Sequence, residues 1–379
     1  MLRSYHILLY GGVMKKYKYK VCVYAICKNE EKFVDRWYES MKEADEIYVL
    51  DTGSGDGTVD KLKSHGVEVK AMEIKPWRFD RARNMSLEMV PEDTDICVCT
   101  DLDEVFLPGW RSMLEDSWQD DTKRLRYTYN WKLEKDTPVV SFFYEKIHAR
   151  KGYKWIYPVH EILKYEGEDE KIVYNEGIVL NHYPDSSKSR GSYLGLLELS
   201  VKENPDDDRN RHYLGREYMY HGRWNDAIGN LIIHLGLKKA TWRDERAASM
   251  RYIGRCYKNM GRMDEARLWY LKAIDEAPHL RDGLVEMGML EYTEGNYLET
   301  IKYLTKALTI KKHQKTYINE IFSWDYTIDN LLSVSYYYLG LYDISLFYIE
   351  RARKIDPDNK MLIDNEKLIR DKMKDQSKL

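Results

Sequence analysis

Residues 95–104 read Asp95-Ile96-Cys97-Val98-Cys99-Thr100-Asp101-Leu102-Asp103-Glu104. The apolar middle of this stretch has the length of a strand, and Cys97 and Cys99, two apart, share one face of it. It closes on two carboxylates. The same pattern stands upstream. Val21-Cys22-Val23-Tyr24-Ala25-Ile26-Cys27 is an apolar run of strand length, followed by a helical stretch with Phe33, Trp37 and Met41 four apart on one face. Ile47-Tyr48-Val49-Leu50-Asp51 reads as a second strand, Thr52 to Thr58 as a Gly-rich turn, Val59 to Lys63 as a short helix and Val67 to Ile74 as a third strand. Strands alternating with helices imply right-handed crossovers and a mostly parallel sheet of the α/β class. Ligands of such sheets sit beyond the carboxyl ends of the strands. Three segments fall there: Lys28-Asn29-Glu30, Asp51 with its Gly loop, and Asp101-Leu102-Asp103-Glu104.

The chain has 379 residues, enough for two domains with separate cores. A net charge of -3 gives no reason to expect a bulk nucleic-acid binder. No apolar run approaches the roughly 18 residues of a membrane span. The five cysteines form no Cys-x-x-Cys pair, and their odd count and scattered spacing argue against a disulfide framework and a zinc site. A reducing cytoplasm is the simpler setting. Ile7 to Val13 is too short for a secretory signal, and Met14-Lys15-Lys16 resembles a second start. Residues 1–19 are therefore set aside as an N-terminal extension, with residues 1–13 expected to have no role in the fold.

After about Asp208 the strand signals stop and a repeat begins. Tetratricopeptide units run about 34 residues, with a Leu-Gly-x-x-Tyr core in the first helix and small residues where the second helix crosses it. Leu214-Gly215 with Tyr218, Ile253-Gly254 with Tyr257, Met287-Gly288 and Leu332-Ser333 with Tyr336 give four anchors. Gly222, Gly261, Gly295 and Gly340 follow them, then Ala227, Ala266, Ala307 and Ala352. The middle spacing matches one repeat; the others need insertions, the larger at His313 to Trp324. The polar tail after Asp358 reads as a capping helix. The expected division is residues 20–205 and 206–379.

Asp101-x-Asp103 at a strand end can hold a divalent cation such as Mn2+ or Mg2+, which takes oxygen ligands and neutralises a departing diphosphate. A solvated acidic loop is the plainer reading of the pair taken alone. Asp51-Thr52-Gly53-Ser54-Gly55-Asp56-Gly57-Thr58 is either a tight turn capped by Asp56 or Thr58, or a loop whose glycines let a nucleotide approach Asp51. It is neither a P-loop nor a dinucleotide fingerprint.

Four segments together carry a resemblance: Ala25 to Glu31, Asp51 to Thr58, Phe79-Asp80-Arg81-Ala82-Arg83-Asn84, and Asp101 to Glu104. In order and spacing they resemble the family 2 glycosyltransferases of the GT-A fold, over roughly residues 20 to 185. With the repeats appended, the chain further resembles peptide glycosyltransferases that modify bacteriocin precursors, including on cysteine. Relatives acting on lipopolysaccharide core share the four segments, so the acceptor stays open. The resemblance implies an α/β GT-A domain followed by an all-α tetratricopeptide-type solenoid, and a nucleotide sugar, UDP-linked, as donor. It implies that Ala25, Ile26 and Lys28 hold the nucleobase and that Asp51 accepts from it. Arg83 and Asn84 fall where nucleotide or donor sugar is contacted. Asp101, with Leu102 beside it, falls at the ribose or water-linked metal, and Asp103 on the metal itself. Arg78, Arg81 and Arg83 are expected near the carboxylates, where a diphosphate would pair them.

Trp155-Ile156-Tyr157-Pro158-Val159-His160-Glu161 resembles the segment that supplies the family's acidic base. Glu161 is the expected base for inverting transfer. The family often carries Glu-Asp where this chain has His160-Glu161, which leaves His160 as alternative base or metal ligand. His182, in Asn181-His182-Tyr183-Pro184, fits a late metal ligand. The repeats are expected to form a concave face, with Tyr220, Trp224 and Trp242 gripping a peptide acceptor or partner chain; homodimerisation is their alternative role. Two other classes compete. A scaffold with a degenerate transferase half is disfavoured by the intact Asp51, Asp101, Asp103 and Glu161. A nucleotidyltransferase would need a Gly-rich triphosphate loop that Val21 to Asn29 lacks.

Overall fold

The two-residue periodicity of the first strand decides how the N-terminal unit is layered. In β3 (Val21–Cys27) every residue is buried. Val21, Val23, Ala25 and Cys27 face one core, against Trp37 and Met41 of α1 (Val34–Met41), with Phe33 just ahead of that helix. Cys22 and Tyr24 face the other core, with Cys97, Cys99 and Trp155. A strand covered on both faces reads as an unbroken apolar run. The structure is a computed structural model that describes residues 6–10, 13–185, 191, 193–314 and 316–376. It divides into two compact units, Met1–Ser200 and Val201–Leu379.

The first unit opens with a two-stranded antiparallel sheet of β1 (His6–Tyr10) and β2 (Val13–Tyr17). Residues 1–5 and 11–12 of the stretch set aside as an extension lie outside the described residues. The main sheet has eight strands in the order β5-β4-β3-β6-β9-β8-β12-β7. They are β4 (Glu46–Asp51), β5 (Glu68–Ala71), β6 (Ile96–Thr100), β7 (Glu104–Phe106), β8 (Arg124–Glu134), β9 (Thr137–Ala149) and β12 (Ile172–His182) beside β3. A separate antiparallel ribbon is made by β10 (Tyr153–Ile156) and β11 (Ile162–Tyr165). From β5 to β6 the pairing is parallel. Beyond β6 it turns antiparallel, except that β12 lies parallel to β8. The fold class is the α/β arrangement expected, as a mixed sheet. The parallel half was legible; the antiparallel half was not named in advance.

Register aligns the ends of the parallel strands. Cys27 pairs with Asp51, and Ala25 with Thr100. Lys28, Asp51 and Asp101 therefore emerge on one edge. Four helices accompany the sheet: α1, α2 (Thr58–Ser64), α3 (Phe79–Glu88) and α4 (Trp110–Ser117). α5 (Tyr193–Glu203) follows β12.

The second unit is a run of antiparallel helix pairs. They are α6 (Asp208–Tyr220) with α7 (Trp224–Gly236), α8 (Arg243–Asn259) with α9 (Met263–Glu276), α10 (Asp282–Thr293) with α11 (Tyr297–Thr309), and α12 (Thr327–Tyr338) with α13 (Tyr342–Ile355). The anchors explain themselves by distance. A Cβ on Gly215 would lie 2.5 Å from Leu231, on Gly254 2.6 Å from Tyr270, and on Gly288 2.6 Å from Leu304. Each glycine lets the second helix cross the first at close range. The fourth pair keeps a small side chain and uses its hydroxyl: Ser333 Oγ donates to the Ser345 carbonyl at 2.8 Å. Between the helices, Gly222, Gly261, Gly295 and Gly340 have positive φ, which closes the turn. α14 (Lys360–Gln376) buries Leu362 and Ile369 against Ile349 and Ala352 of α13, as a capping helix does.

Candidate active site

The site is assembled from four strand ends and one helix. Arg83, on α3, is 3% exposed and bridges two acids from distant segments. Its Nη2 donates to Asp101 Oδ1 at 2.6 Å and its Nε to Glu161 Oε1 at 3.1 Å. Lys146, pointing from β9, donates to the other Asp101 oxygen at 3.2 Å and lies 3.7 Å from Glu104. Burial works against charge on Asp101, but Arg83 and Lys146 outweigh it and hold the carboxyl well below the usual carboxylate range. Glu104 differs. Burial raises its pKa, and Lys146 only partly offsets this. Its carboxylate accepts from the Asp101 amide at 2.9 Å, which fixes the turn between the two acids.

Asp103 faces the opposite way. The Tyr183 amide donates to the Asp103 carbonyl at 2.8 Å, and His182 pairs with Glu104 across β12 and β7. This brings His182 Nε2 to 3.4 Å from Asp103 Oδ2. His182 Nδ1 lies 3.0 Å from the Trp131 carbonyl, an acceptor only, so Nδ1 carries a proton. Nε2 then faces a carboxylate, and either a second proton or a cation must sit between them. Burial lowers the His182 pKa, but the Asp103 hydrogen bond and charge outweigh it, and the net shift is upward. A histidine whose Nδ1–H is tied to a carbonyl and whose Nε2 faces an acid is a common metal-ligand arrangement. Asp103 and His182 thus fit a divalent cation as two protein ligands. Asp101 is turned to its cations, and among the described residues no group of three or more His, Cys, Asp or Glu converges as a ready metal cage.

The two segments expected to hold the base are laced to each other. Asn29, at φ 54°, donates its amide to Ser54 Oγ at 2.8 Å and accepts from the Gly55 amide at 2.7 Å. The Glu30 amide donates to Thr58 Oγ1 at 2.8 Å, and Asp56 accepts from the Thr58 amide at 3.1 Å. Asp51 is 2% exposed and accepts from the Gly53 and Ser54 amides at 3.1 Å. The Gly loop is thus a turn closed on itself, whose amides satisfy the Asp51 carboxylate at the carboxyl end of β4. Ala25 is fully buried in β3 and Ile26 nearly so, whereas Lys28 is exposed. A cavity of about 440 Å3 lined by Asn29, Glu31, Lys32, Asp56, Lys61 and Asp185 opens at this loop. It contains neither Asp101 nor Glu161.

Of the three arginines expected near the carboxylates, only Arg83 reaches Asp101. Arg78 pairs with Asp80 through two bonds of 3.0 and 2.8 Å, and Arg81 is exposed. Asn84 is a clamp: its amide donates to the Trp155 carbonyl at 2.8 Å and accepts from the Trp155 amide at 2.9 Å. This ties α3 to β10, just ahead of His160 and Glu161. Between them the backbone is strained, with φ of 80° at Tyr157 and 50° at His160. Non-glycine residues in that region cost about 1–3 kcal/mol each and cluster at functional sites. Leu102 is fully buried and packs in the core behind the two acids.

Lys146 was missed by the sequence reading. Tyr144, Lys146 and His148 alternate on β9, but only the place of β9 inside the eight-stranded sheet turns that face inward. His148 belongs to a closed polar chain. Trp155 Nε1 donates to Tyr24 Oη at 2.9 Å, Tyr24 donates to His148 Nε2 at 2.8 Å, and His148 Nδ1 donates to the Ala149 carbonyl at 2.7 Å. All five cysteines are free and buried.

Known proteins bear on the two units separately. Residues 22–161 match the family model described as Glycosyl transferase family 2, and residues 253–280 match one described as Tetratricopeptide repeat. No curated protein sequence matches the chain. Similar solved structures include the MamA protein, at 19% identity over 43% of this chain and 81% of that one, TM-score 0.34. Another is the C-terminal part of a TPR repeat-containing protein from Cytophaga hutchinsonii, at 15% identity over 50% and 68%, TM-score 0.41. A third is a thermophilic TPR protein of Thermus thermophilus, at 19% identity over 47% and 89%, TM-score 0.33. No described helix is long and apolar enough to cross a membrane. The chain carries a glycosyl transferase family 2 domain, which supports a glycosyltransferase, and a C-terminal tetratricopeptide repeat.

Proposed function

We propose that the chain is a cytoplasmic, metal-dependent glycosyltransferase that moves a sugar from a UDP-sugar to a polypeptide side chain by inverting displacement. In this reading residues 20–205 are the transferase domain and residues 206–379 hold the acceptor. The observation that carries it is the Arg83 bridge between Asp101 and Glu161, next to the facing pair Asp103 and His182. An acid poised to take a proton and a pair able to hold a cation stand within one cluster at the strand ends. Free, buried cysteines are consistent with a reducing compartment.

Each residue has a task. Asp51 and the interlaced loops shape the wall for the base. Asp103 and His182 would hold Mn2+ or Mg2+, whose charge would stabilise a departing diphosphate. Arg83 and Lys146 keep Asp101 ionised and fixed in direction. Glu161 takes the acceptor's proton as the acceptor attacks the anomeric carbon. Arg83 Nε orients the Glu161 carboxylate and leaves its second oxygen for that proton. His160, beside it on strained backbone, is the alternative base.

Calorimetric titration with UDP and Mn2+ tests the reading. Binding of UDP that depends on the ion, and is lost in Asp103→Asn with the fold intact, is the expected result. Absence of UDP binding to the wild-type protein would instead favour a scaffold with a degenerate transferase half.

A further inference from the structure

Helix-to-helix connections in bundles usually take 2–8 residues. α11 and α12 are joined instead by the long stretch from Ile310 to Tyr326. Its middle does not lie in solvent: Ile318 is buried. The contacts run to helices one and two pairs earlier. The Tyr317 hydroxyl donates to Glu245 in the first turn of α8. Its ring meets Trp242 edge-on at 5.6 Å and lies 5.9 Å from Tyr213 of α6. Arg251 of α8 donates to the Ile318 carbonyl at 2.7 Å and to Glu320 at 3.1 Å. Arg255, one turn on, donates to Glu320 at 2.5 Å. Asp282, opening α10, accepts from the Glu320 amide at 2.6 Å and from the Asn319 side chain at 3.3 Å.

α6, α8 and α10 are the first helices of three successive pairs, and they pack directly on one another. Residues 316–324 lie across the face these helices form. The face reads the segment as it would read a ligand: an aromatic ring with its hydroxyl, then backbone groups, then a carboxylate three positions after the ring. It also keeps a spare group. Arg216 of α6 stacks over Tyr213 at 4.6 Å, and its Nε finds no hydrogen-bond partner among the described residues. Among the described residues, no carboxylate of the strap pairs with this guanidinium, which is met by the Tyr213 and Tyr220 rings.

We propose that this face binds an extended polypeptide presenting an aromatic residue and, three positions later, a carboxylate, and that residues 316–324 occupy it as an intramolecular competitor. The proposal deepens the reading that the repeats hold the acceptor, and it is tested by binding alone, without turnover. A tethered segment competes at an effective concentration of about 1 mM. A free peptide that binds the vacated face at about 10 μM would then bind the intact chain roughly 100-fold more weakly. A polypeptide reaching Arg216 as well gains a contact the strap lacks and can displace it.

The probe is a synthetic peptide of residues 316–324, Thr-Tyr-Ile-Asn-Glu-Ile-Phe-Ser-Trp, with a fluorophore at one end. It is titrated into the full chain and into a full-length variant whose residues 316–324 are replaced by Gly and Ser. Expected are binding to the variant, at least tenfold weakening on adding Arg251→Gln, and roughly 100-fold weaker binding to the intact chain. Equal binding to both forms, or none to a folded variant, overturns the proposal. If the replacement does not fold, hydrogen exchange of the intact chain decides. The backbone amide of position 320, bonded to Asp282 in wild type, should then exchange at least tenfold faster in Tyr317→Ala/Glu320→Ala, after correction for the intrinsic rate of the new residue, with α8 amides unchanged. Acceleration shared by α8 would mean that the segment is a structural part of the stack, and the proposal fails.

Discussion

Arg83 donates to Asp101 and Glu161 at once, so the orientation of the candidate base depends on a residue 78 positions earlier in the chain. Glu161→Gln keeps the shape and the Arg83 contact but cannot accept the acceptor's proton. Turnover on a hydroxyl or amide acceptor should fall about 10²- to 10⁴-fold while UDP affinity stays within twofold. Steady-state rates beside a UDP titration check this, and an unimpaired variant would move the base to His160. Lys146→Met tests a different consequence. It leaves Glu104 and Asp101 without the cation between them, and breaking a buried pair costs about 3–5 kcal/mol. Urea unfolding should show that loss, and a shift under about 1 kcal/mol would mean the acids are satisfied without the lysine. The acids were legible in the sequence because they close apolar runs. Lys146 was not, since a lysine in an alternating strand ordinarily points to solvent, and only the eight-stranded sheet turns this one inward.

At the scale of elements, the repeat glycines separate two effects that oppose each other. Alanine is favoured over glycine inside a helix by about 1 kcal/mol. Gly229, in α7, has open space around its missing Cβ, so Gly229→Ala should stabilise by about 0.5–1 kcal/mol. A Cβ on Gly254 would meet the buried Tyr270 ring at 2.6 Å, and overpacking of that kind costs about 1–3 kcal/mol. Gly254→Ala should therefore destabilise despite the same gain in propensity, and thermal melts of the two variants should move in opposite directions. This contrast is why the helical half was easy to read: its spacing rule records a physical close approach. The antiparallel strands gave no such cue. β8 and β9 join through Lys135 and Asp136, both at positive φ (48° and 62°), the geometry of a tight hairpin. Asn-Gly or Asp-Gly is the usual sequence there, and without it the hairpin left no mark. The parallel strands had apolar runs bounded by turn residues, so their presence and their common edge followed from pattern alone, whereas their order in the sheet came from the structure.

Across the whole molecule, each unit carries a fully buried histidine that the fold keeps neutral. In the first unit, burial pushes His148 down to about 3, with Arg124 and Arg150 adding to the effect. In the second, burial pushes His212 down to about 3, although the Glu245 charge opposes it. Its Nδ1 shares the Ser249 hydroxyl with His234, and its Nε2 has no partner among the described residues. An unfolded histidine takes up a proton below about 6.5, whereas these two resist until about 3. Between those values the unfolded chain binds more protons than the folded one, so stability rises with pH and falls on acidification. From pH 6.5 to 5.5 each should remove about 1 kcal/mol from its own unit. His182 acts in the opposite sense, because its pKa is raised; the stability it adds is present below about 6.5 and is lost as pH rises through its folded value. Between pH 6.5 and 5.5 its gain is at most about 0.4 kcal/mol, which only partly offsets the loss from His148 in the same unit. Carboxylates titrate mostly lower still, near 4. Melting curves at pH 6.5, 6.0 and 5.5 at constant ionic strength should therefore show a steady fall in Tm. An unchanged Tm across that unit would mean that both histidines reach water or a proton partner in the folded protein, and that their neutral burial is not a constraint on the fold.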